Sequence, residues 1–262
     1  MRIARVATET GPKFAIQDSG RWCFISDPFS TPVTLVGGYL EVADATLLAP
    51  TVPNLILGMA HNGQPSDRRI PPQAFAKSTY TVASTGAHVT LDPDLGDTVV
   101  EGELAIVIGR RSRNLSLANA SGAVLGYTVA NDVTIPAQNS LDNFWTQGKN
   151  GENFTPLGPW IETELDVRDL QIRLRINGNE VSRGSTSQLA RGVEEILVYL
   201  TRYLELRPGD VVLCGCPGAT TSVKAGDRFD IEIDGIGVLS NEATLSPVDS
   251  EHDPDSWQPV AR

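Results

Sequence analysis

The sequence is poor in the residues that build disulfide frameworks, zinc sites and membrane spans. It has three cysteines (Cys23, Cys214 and Cys216) and three histidines among 262 residues. So few cysteines, in odd number, do not make a disulfide framework, and the spacing of the cysteines and histidines matches no zinc site. No apolar run approaches the ~20 residues of a membrane span, and the opening MRIARVATETGPKF lacks the apolar region of a signal peptide. We therefore expect a cytoplasmic protein with no membrane partner.

Basic residues are also scarce relative to acidic ones. The chain has 21 Lys and Arg against 32 Asp and Glu, a net charge of −11. Because a nucleic acid or an anionic membrane is bound through a basic surface, neither is expected as a partner. The length is sufficient for one large domain, or for one domain with a small additional lobe.

Short β-like runs separated by turn residues dominate the chain. INGNEV and IDGIGVL place Asn-Gly and Asp-Gly between apolar runs, which predicts two hairpins. One helix is indicated in GVEEILVYLTRYLEL, because apolar residues recur there at helical spacing. These residues are Val193, Ile196, Leu197, Leu200 and Leu204. We therefore expect a mainly β fold of the α+β class with a few helices.

Composition divides the chain into three parts. We expect a small N-terminal β lobe over residues 1–53, a larger domain over 54–248 and a polar C-terminal tail over 249–262. Within the larger domain, LGMAHNGQPSDRRIPPQAFAK (57–77) is interrupted by Gly, Pro and polar residues. It is predicted to be a functional loop.

A pair of glutamates begins the apolar run EGELAIVIG. Residues i and i+2 of a strand point to the same face, so Glu101 and Glu103 would lie side by side and repel each other. Basic residues that could pair with one of them follow the run: Arg110, Arg111 and Arg113. Alternatively, the pair shares a cation with Asp132, which ends the next β-like run, GYTVAND. Three carboxylates suit a hard, oxygen-preferring ion such as Mg²⁺.

Five blocks in order resemble the fumarylacetoacetate hydrolase family, taken broadly to include acylpyruvate hydrolases, oxaloacetate decarboxylases and related isomerases. The blocks are EGELAIVIGR, GYTVANDVT, GKNGENFTPLGPWIET, LRPGDVVLCGCPG and IDGIGVLSNEA, and the match runs from about Leu57 to Leu245. The resemblance implies a distorted β-roll core, a homodimer, and a Mg²⁺ or Mn²⁺ ion held by Glu101, Glu103 and Asp132. Residues 54–248 would then form the metal-dependent catalytic domain.

The same resemblance assigns roles around the metal. Lys149, in GKNGENF, matches the family's active-site lysine, and Glu152 replaces a family aspartate as a charge partner for it. Lys77 matches a lysine that borders the site, although an exposed lysine is an equally good interpretation. Gly215 and Cys216 fall where the family binds substrate.

Two departures from the family pattern concern recognition of the substrate carboxylate. Pro136, in NDVTIPAQN, replaces an arginine that usually contacts the substrate. Cys216, in CGCP, replaces a threonine, and cysteine is a poor hydrogen-bond donor. We infer a substrate that depends less on that carboxylate. Cys214 and Cys216 could also form a soft-metal or redox pair, but two small buried side chains are the simpler interpretation.

The family's general base is altered as well. Many members have G-x-N-Y-x-x-H, in which the histidine activates water. Counting from Gly58, His61 falls at the tyrosine position and Gln64 at the histidine position. His61 is therefore either the acid/base of the site or a loop histidine bonded to backbone.

Three functions are compatible with this pattern. The leading hypothesis is metal-dependent hydrolysis of a C–C bond in a small β-dicarbonyl or 2-oxo acid, in which the metal polarises the carbonyl. The first alternative is decarboxylation or keto–enol isomerisation, which needs a positioned base less. The second is a non-catalytic binding protein on the same scaffold, but such a protein has no evident need for clustered acids.

Overall fold

The structure is a computed structural model and describes residues 1–246. The predicted tail, 249–262, lies outside the described residues, as do the last two residues of the predicted larger domain. Strands dominate the described part and are β1 (Arg2–Val6), β2 (Lys13–Asp18), β3 (Arg21–Ile25), β4 (Leu35–Glu41), β5 (Leu47–Leu48), β6 (Ile56–Ala60), β7 (Gln73–Lys77), β8 (Val82–Ala83), β9 (His88–Leu91), β10 (Thr98–Ile108), β11 (Val124–Asn131), β12 (Thr155–Glu162), β13 (Gln171–Ile176), β14 (Asn179–Ser185), β15 (Val211–Leu213), β16 (Thr220–Val223), β17 (Arg228–Ile233) and β18 (Gly237–Leu245). The α-helices are α1 (Pro136–Asn139), α2 (Thr146–Lys149) and α3 (Val193–Tyr203). The predicted mainly β fold with few helices is confirmed.

The strands form two sheets. The larger has the order β4-β3-β2-β1-β12-β11-β10-β15-β6-β7, with β5 paired to β1, β8 to β12 and β16 to β10. The smaller has the order β14-β13-β17-β18-β9. The first five strands lie within the predicted N-terminal lobe, and they continue the larger sheet through the antiparallel pair of β1 and β12.

Both predicted hairpins are present. Asn177 and Gly178 connect β13 to β14, and Asp234 and Gly235 lie in the turn between β17 and β18. The predicted loop over 57–77 is wrong at both ends, where β6 and β7 pair antiparallel. All five residues of β6 are buried, and its other edge pairs parallel with β15, so tertiary pairing overrides the loop-like composition.

The main hydrophobic core lies between the two sheets and α3. It joins β10 and β11 to β13 and β17, with Ile106, Ile172 and Phe229 fully buried. Helix α3 buries the predicted face through Val193, Ile196, Leu197 and Leu200, while Leu204 follows the last turn and is half-buried. Among residues 1–246, no helix has both the length and the apolar character that crossing a bilayer requires.

Strand β10 changes partners along its length, and this change opens the sheet beside the two glutamates. Thr98–Glu101 pair with β16, whereas Ala105–Val107 pair with β15. Between β15 and β16 the chain leaves the sheet as the loop 214–219. Glu103 lies between the two paired stretches of β10, so its side chain meets this loop rather than a continuous neighbouring strand.

Gly184 in β14 provides a test of how tightly this loop is packed. A Cβ atom at Gly184 would lie 1.7 Å from the carbonyl oxygen of Pro217, whereas one at Gly192 would meet no atom within 4 Å. We expect Gly184→Ala to lower the free energy of unfolding by about 3 kcal/mol, because backbone must move to make room. Gly192→Ala, the matched control, should lower it by at most ~1 kcal/mol. Equal losses in urea unfolding would contradict the packing.

Candidate active site

Three carboxylates converge where β10 and β11 lie side by side. Gly102 pairs with Asn131, and the N–H of Asp132 donates to the carbonyl of Glu101 over 2.9 Å. This register brings one oxygen each of Glu101, Glu103 and Asp132 within 4.8 Å of one another. Glu103 and Asp132 are buried, and Glu101 is partly exposed.

Two lysines, and no arginine among residues 1–246, form ion pairs with the carboxylates. Lys149 donates to Glu101 Oε2 over 3.0 Å and to Asp132 Oδ2 over 2.6 Å. The arginines considered from the sequence lie elsewhere: Arg111 pairs with Glu205, and Arg113 donates to the carbonyl of Tyr203. The lysine that ends α2 is therefore the ion-pair partner of Glu101 and Asp132.

Lys77 supports Asp132 through its other oxygen. Its Nζ donates to Asp132 Oδ1 over 2.6 Å and to the carbonyls of Phe154 and Val133 over 2.8 and 3.3 Å. The side chain is fully buried, so the exposed-surface interpretation is wrong. Lys77 is also not among the described residues that line the cavity. The structure therefore places it as a support for Asp132.

Burial and mutual charge set the ionisation of the cluster. Burial raises the pKa of Glu103 well above its ordinary value, and the carboxylates of Asp132 and Glu101 raise it further. Burial alone would also raise the pKa of Asp132, but the ammonium groups of Lys77 and Lys149 lower it below its ordinary value. Burial opposes the charge on Lys149, yet Asp132 and Glu101 raise the pKa of that ammonium group. Glu103 is thus the acid whose negative charge is least compensated by neighbouring positive groups.

Glu103 is held by the loop 214–219 across the gap in the sheet. The N–H of Gly215 donates to Glu103 Oε2 over 2.6 Å. Gly215 has a φ of +103°, in the left-handed region that disfavours side chains. Beside it, Cys216 lines the cavity, and burial raises the pKa of the thiols of both Cys214 and Cys216. Protonated thiols of this kind do not favour a soft-metal or redox pair.

The cluster faces a cavity of about 300 Å³. Lys149, Gly215, Cys216 and His61 all contribute to its lining, whereas Glu152 does not. Glu152 is exposed and accepts a hydrogen bond from Thr90 over 2.9 Å. The structure therefore does not bring Glu152 into the cluster as a partner for Lys149.

His61 lies at the open side of this cavity. It is exposed, has a φ of +50°, and packs edge-to-face on Trp145 with ring centroids 5.7 Å apart. Within residues 1–246, no carboxylate or backbone group bonds to its side chain. The imidazole is therefore free to contact a ligand, but no acid orients it.

Two polar residues of the site were missed by sequence reasoning. Asn62 is buried in the cavity wall, and its amide donates to the carbonyls of Cys214 and Arg191 over 2.7 and 3.1 Å. Its Oδ1 has no hydrogen-bond partner in the described part of the chain. Thr134 donates to Glu101 Oε2 over 2.9 Å. Thr134 lies in the block NDVT and could have been identified there, whereas Asn62 has no sequence signal.

The donor set fits a divalent cation. Among residues 1–246, two ammonium groups pair with the three buried or half-buried carboxylates, so one negative charge is left uncompensated. Carboxylate oxygens are the ligands that Mg²⁺ and Mn²⁺ prefer. Glu101, Glu103 and Asp132 could hold such an ion. Both Mg²⁺ and Mn²⁺ accept these ligands.

Comparison with known proteins agrees with this geometry. Residues 54–244 match the family model described as fumarylacetoacetate (FAA) hydrolase C-terminal, and residues 1–50 match the model described as Rv2993c-like, N-terminal. The chain belongs to the fumarylacetoacetate hydrolase family. The resemblance stated from the five sequence blocks is thereby confirmed.

Of three similar proteins, two are named as enzymes, and their activities differ. The chain is 33% identical to protein Rv2993c of Mycobacterium tuberculosis, over 92% of this chain and 97% of that protein. It is 31% identical to human mitochondrial oxaloacetate tautomerase FAHD2A, over 78% of this chain and 71% of that protein. The solved structure of 2-hydroxyhepta-2,4-diene-1,7-dioate isomerase from Mycobacterium marinum superposes with a TM-score of 0.88 at 32% identity, covering 94% of this chain and 99% of that one.

The two departures from the family pattern both lie in the cavity wall. Pro136 and Cys216 line the same cavity as the carboxylate cluster. Neither side chain can form the ion pair or the strong hydrogen bond that arginine and threonine provide. In this member of the fumarylacetoacetate hydrolase family, the arginine and threonine of the family pattern are therefore absent from those two positions of the cavity wall.

The first prediction for this site concerns metal binding. We expect the EDTA-treated protein to bind one Mg²⁺ or Mn²⁺ per chain in calorimetry, and Glu103→Ala to weaken binding at least tenfold (about 1.4 kcal/mol) because one of three carboxylates is lost. Glu152→Ala removes an acid outside the cluster and is the matched control. Unchanged affinity in Glu103→Ala would end the assignment of the three carboxylates as ligands.

The second prediction concerns the protein without metal. Glu103→Gln should raise the free energy of unfolding in EDTA by about 1 kcal/mol, because a buried charge beside Asp132 and Glu101 is removed. In saturating Mg²⁺ the order should reverse, since only the wild type gains the full stabilisation of the bound ion. Thermal unfolding with and without EDTA measures both. A variant that is less stable than wild type in EDTA would show that the carboxylate is not under repulsion.

Proposed function

We propose that this protein is a divalent-cation-dependent enzyme that interconverts the keto and enol forms of a small 2-oxo acid. The observation that supports this most directly is the assembly of Glu101, Glu103, Asp132 and Lys149 around one cavity. The activities named for the human tautomerase and the mycobacterial isomerase, each more than 30% identical to this chain, agree with it.

The chain's own residues would hold and orient the reacting group. A divalent cation, when bound by the three carboxylates, supplies Lewis-acid polarisation of the 2-oxo acid oxygens. Lys149 has three N–H donors, of which two are engaged by Glu101 and Asp132. The third can donate to the substrate oxygen that carries negative charge in the enolate through which the keto and enol forms interconvert.

The remaining contacts keep this arrangement in place. Lys77 fixes Asp132 and the Gly215 N–H fixes Glu103, so the carboxylates need little reorganisation when ligand binds. His61 lies exposed at the open side of the cavity, where the substrate carbon can exchange a proton with it or with solvent water. Tautomerisation needs a base at the substrate carbon, and His61 or water at this open side can serve as that base without an acid that orients it.

Hydrolysis of a C–C bond is the second candidate, because His61 lines the same cavity and could activate water. Hydrolysis depends on a base that is held in position, usually by an acid, and no described carboxylate orients His61. Decarboxylation shares the electron sink of tautomerisation and needs no water. The structure thus favours the reactions that depend on enolate stabilisation over the hydrolysis favoured by the sequence.

Two variants separate these reactions. Lys149→Met should slow enol–keto interconversion of phenylpyruvate, a 2-oxo acid with one carboxylate, followed by ultraviolet absorbance, by at least ~100-fold because it removes the donor at the reacting oxygen. His61→Gln should slow it less than about tenfold (~1.4 kcal/mol of barrier). His88→Gln, which changes an exposed histidine outside the cavity, is the control.

The same variants are assayed on an acylpyruvate by detection of the cleaved products. A His61→Gln loss of ~10²–10⁴-fold confined to cleavage would identify hydrolysis as the reaction and overturn the proposal. Release of CO₂ that is insensitive to His61 would instead identify a decarboxylase.

We also propose that the protein forms a homodimer, on the basis of its family. Light scattering at micromolar concentration should give twice the 28.1 kDa chain mass. A monomeric mass under the same conditions would contradict this.

A further inference from the structure

We propose, resting on the function above, that the 2-oxo acid substrate carries an uncharged, aromatic substituent, which lies in a groove beside the carboxylate cluster. The groove has a volume of about 470 Å³. It adjoins the cavity that the cluster faces, because Ala60, His61, Phe75 and Trp145 line both, and we place the substituent of a bound substrate in it.

The groove has the chemistry of an aromatic site. Phe75, Phe144 and Trp145 line it, together with small alanines and neutral polar residues. Phe144 is 82% exposed and lines the groove, so its ring is accessible to a ligand there. A planar substituent can stack on such rings or meet their edges. Within residues 1–246, no lysine or arginine lines the groove.

The charge of the cluster provides for one substrate carboxylate only. Three carboxylates face Lys77 and Lys149, so the cluster with a divalent cation has one positive charge in excess. The carboxylate of a 2-oxo acid neutralises this charge. A second carboxylate, as in a dioate, would meet no lysine or arginine in the described lining of the groove, where His61 is the remaining side chain able to carry a positive charge, and it would lose hydration there. Pro136 lines the cavity where the family pattern has an arginine, which removes one more potential partner.

Hydrogen bonds to Asp142 hold the backbone that carries Phe144 and Trp145 before a ligand binds. The carboxylate of Asp142 accepts hydrogen bonds from the N–H groups of Phe144 and Gln147 over 2.9 and 3.2 Å, and its carbonyl accepts one from Trp145 over 2.9 Å. Trp145 has a φ of +60° and packs on Phe75 with ring centroids 5.3 Å apart. A backbone held in place lowers the entropic cost of ligand binding, and a strained tryptophan backbone is frequent at binding sites.

Stable analogues with one head group and different substituents test this inference. Oxamate has the oxalyl head alone, N-phenyloxamate adds an aromatic ring, and N-oxalylglycine adds a carboxylate. Calorimetry on the full chain with saturating Mg²⁺ should show N-phenyloxamate binding at least ~10-fold more tightly than oxamate, because the ring buries apolar surface. N-oxalylglycine should bind no more tightly than oxamate.

Three variants locate the effect. Phe144→Ala should lose most of the gain from the phenyl ring, whereas Leu141→Ala should change no affinity, since Leu141 is an exposed apolar residue of the same segment that does not line the groove. Ala74→Lys adds a cation at an exposed position of the groove and should make N-oxalylglycine bind more tightly than oxamate.

The outcomes distinguish the two proposals. If oxamate binds but N-oxalylglycine equals or exceeds N-phenyloxamate in affinity, the aromatic substituent is excluded and the proposed function stands. Equal affinities of oxamate and N-phenyloxamate would exclude it likewise. If Mg²⁺ binds and none of the three analogues does, the proposed function fails and the inference that rests on it fails too.

Discussion

The repulsion among three carboxylates in a poorly hydrated site is the constraint on which the rest of this site depends. Glu101, Glu103 and Asp132 would not stay together without compensation, since bringing like charges out of water is costly. Lys149 and Lys77 provide most of that compensation from two separate elements, and the Gly215 N–H provides a smaller share. The cluster keeps an excess of negative charge, which a bound divalent cation would relieve. The same charges therefore affect both the stability of the fold and its capacity to hold an ion.

The architecture of the larger sheet explains why this cluster can form on a strand. Strand β10 pairs with β11 over residues 102–108, so the opening beside Glu103 lies at its other edge. Here β10 passes from β16 to β15, and the intervening loop leaves room for a cavity at the point of exchange. The same loop supplies a backbone donor to Glu103 and the thiol of Cys216 to the cavity wall. The interruption in the pairing of β10 is therefore both a feature of the fold and the origin of the cavity.

The residues around the cluster differ in how strongly they are held, and this difference separates the candidate reactions. The groups that stabilise negative charge are buried and bonded from several sides, as Lys149 and Asp132 are. His61, the group that would activate water, is exposed and rests on Trp145. Preorganised charge stabilisation with a loosely held proton carrier favours enolate chemistry over hydrolysis. The groove proposed for the substrate's substituent, which Phe75, Phe144 and Trp145 line, adjoins the same cavity.

The sequence by itself determined the features that depend on neighbouring residues. The period of two in EGELAIVIG places Glu101 and Glu103 on one face, Asn-Gly and Asp-Gly fix two hairpins, and the spacing in α3 defines its buried face. The ordered blocks identified the family, and with it the acid triad and Lys149. These patterns are local, so they can be recognised before any strand is paired.

Only the tertiary structure decided which distant side chains meet. It buried Lys77 under Asp132, 55 residues away in sequence, and joined Gly215 to Glu103 across 112 residues. It formed β6 and β7 within a segment whose composition predicts a loop, and it left Glu152 outside the cluster. It also assembled the groove from β6, β7 and the segment that leads into α2. Such contacts depend on sheet register and on the course of loops, which are set by the packing of the whole domain rather than by the residues on either side.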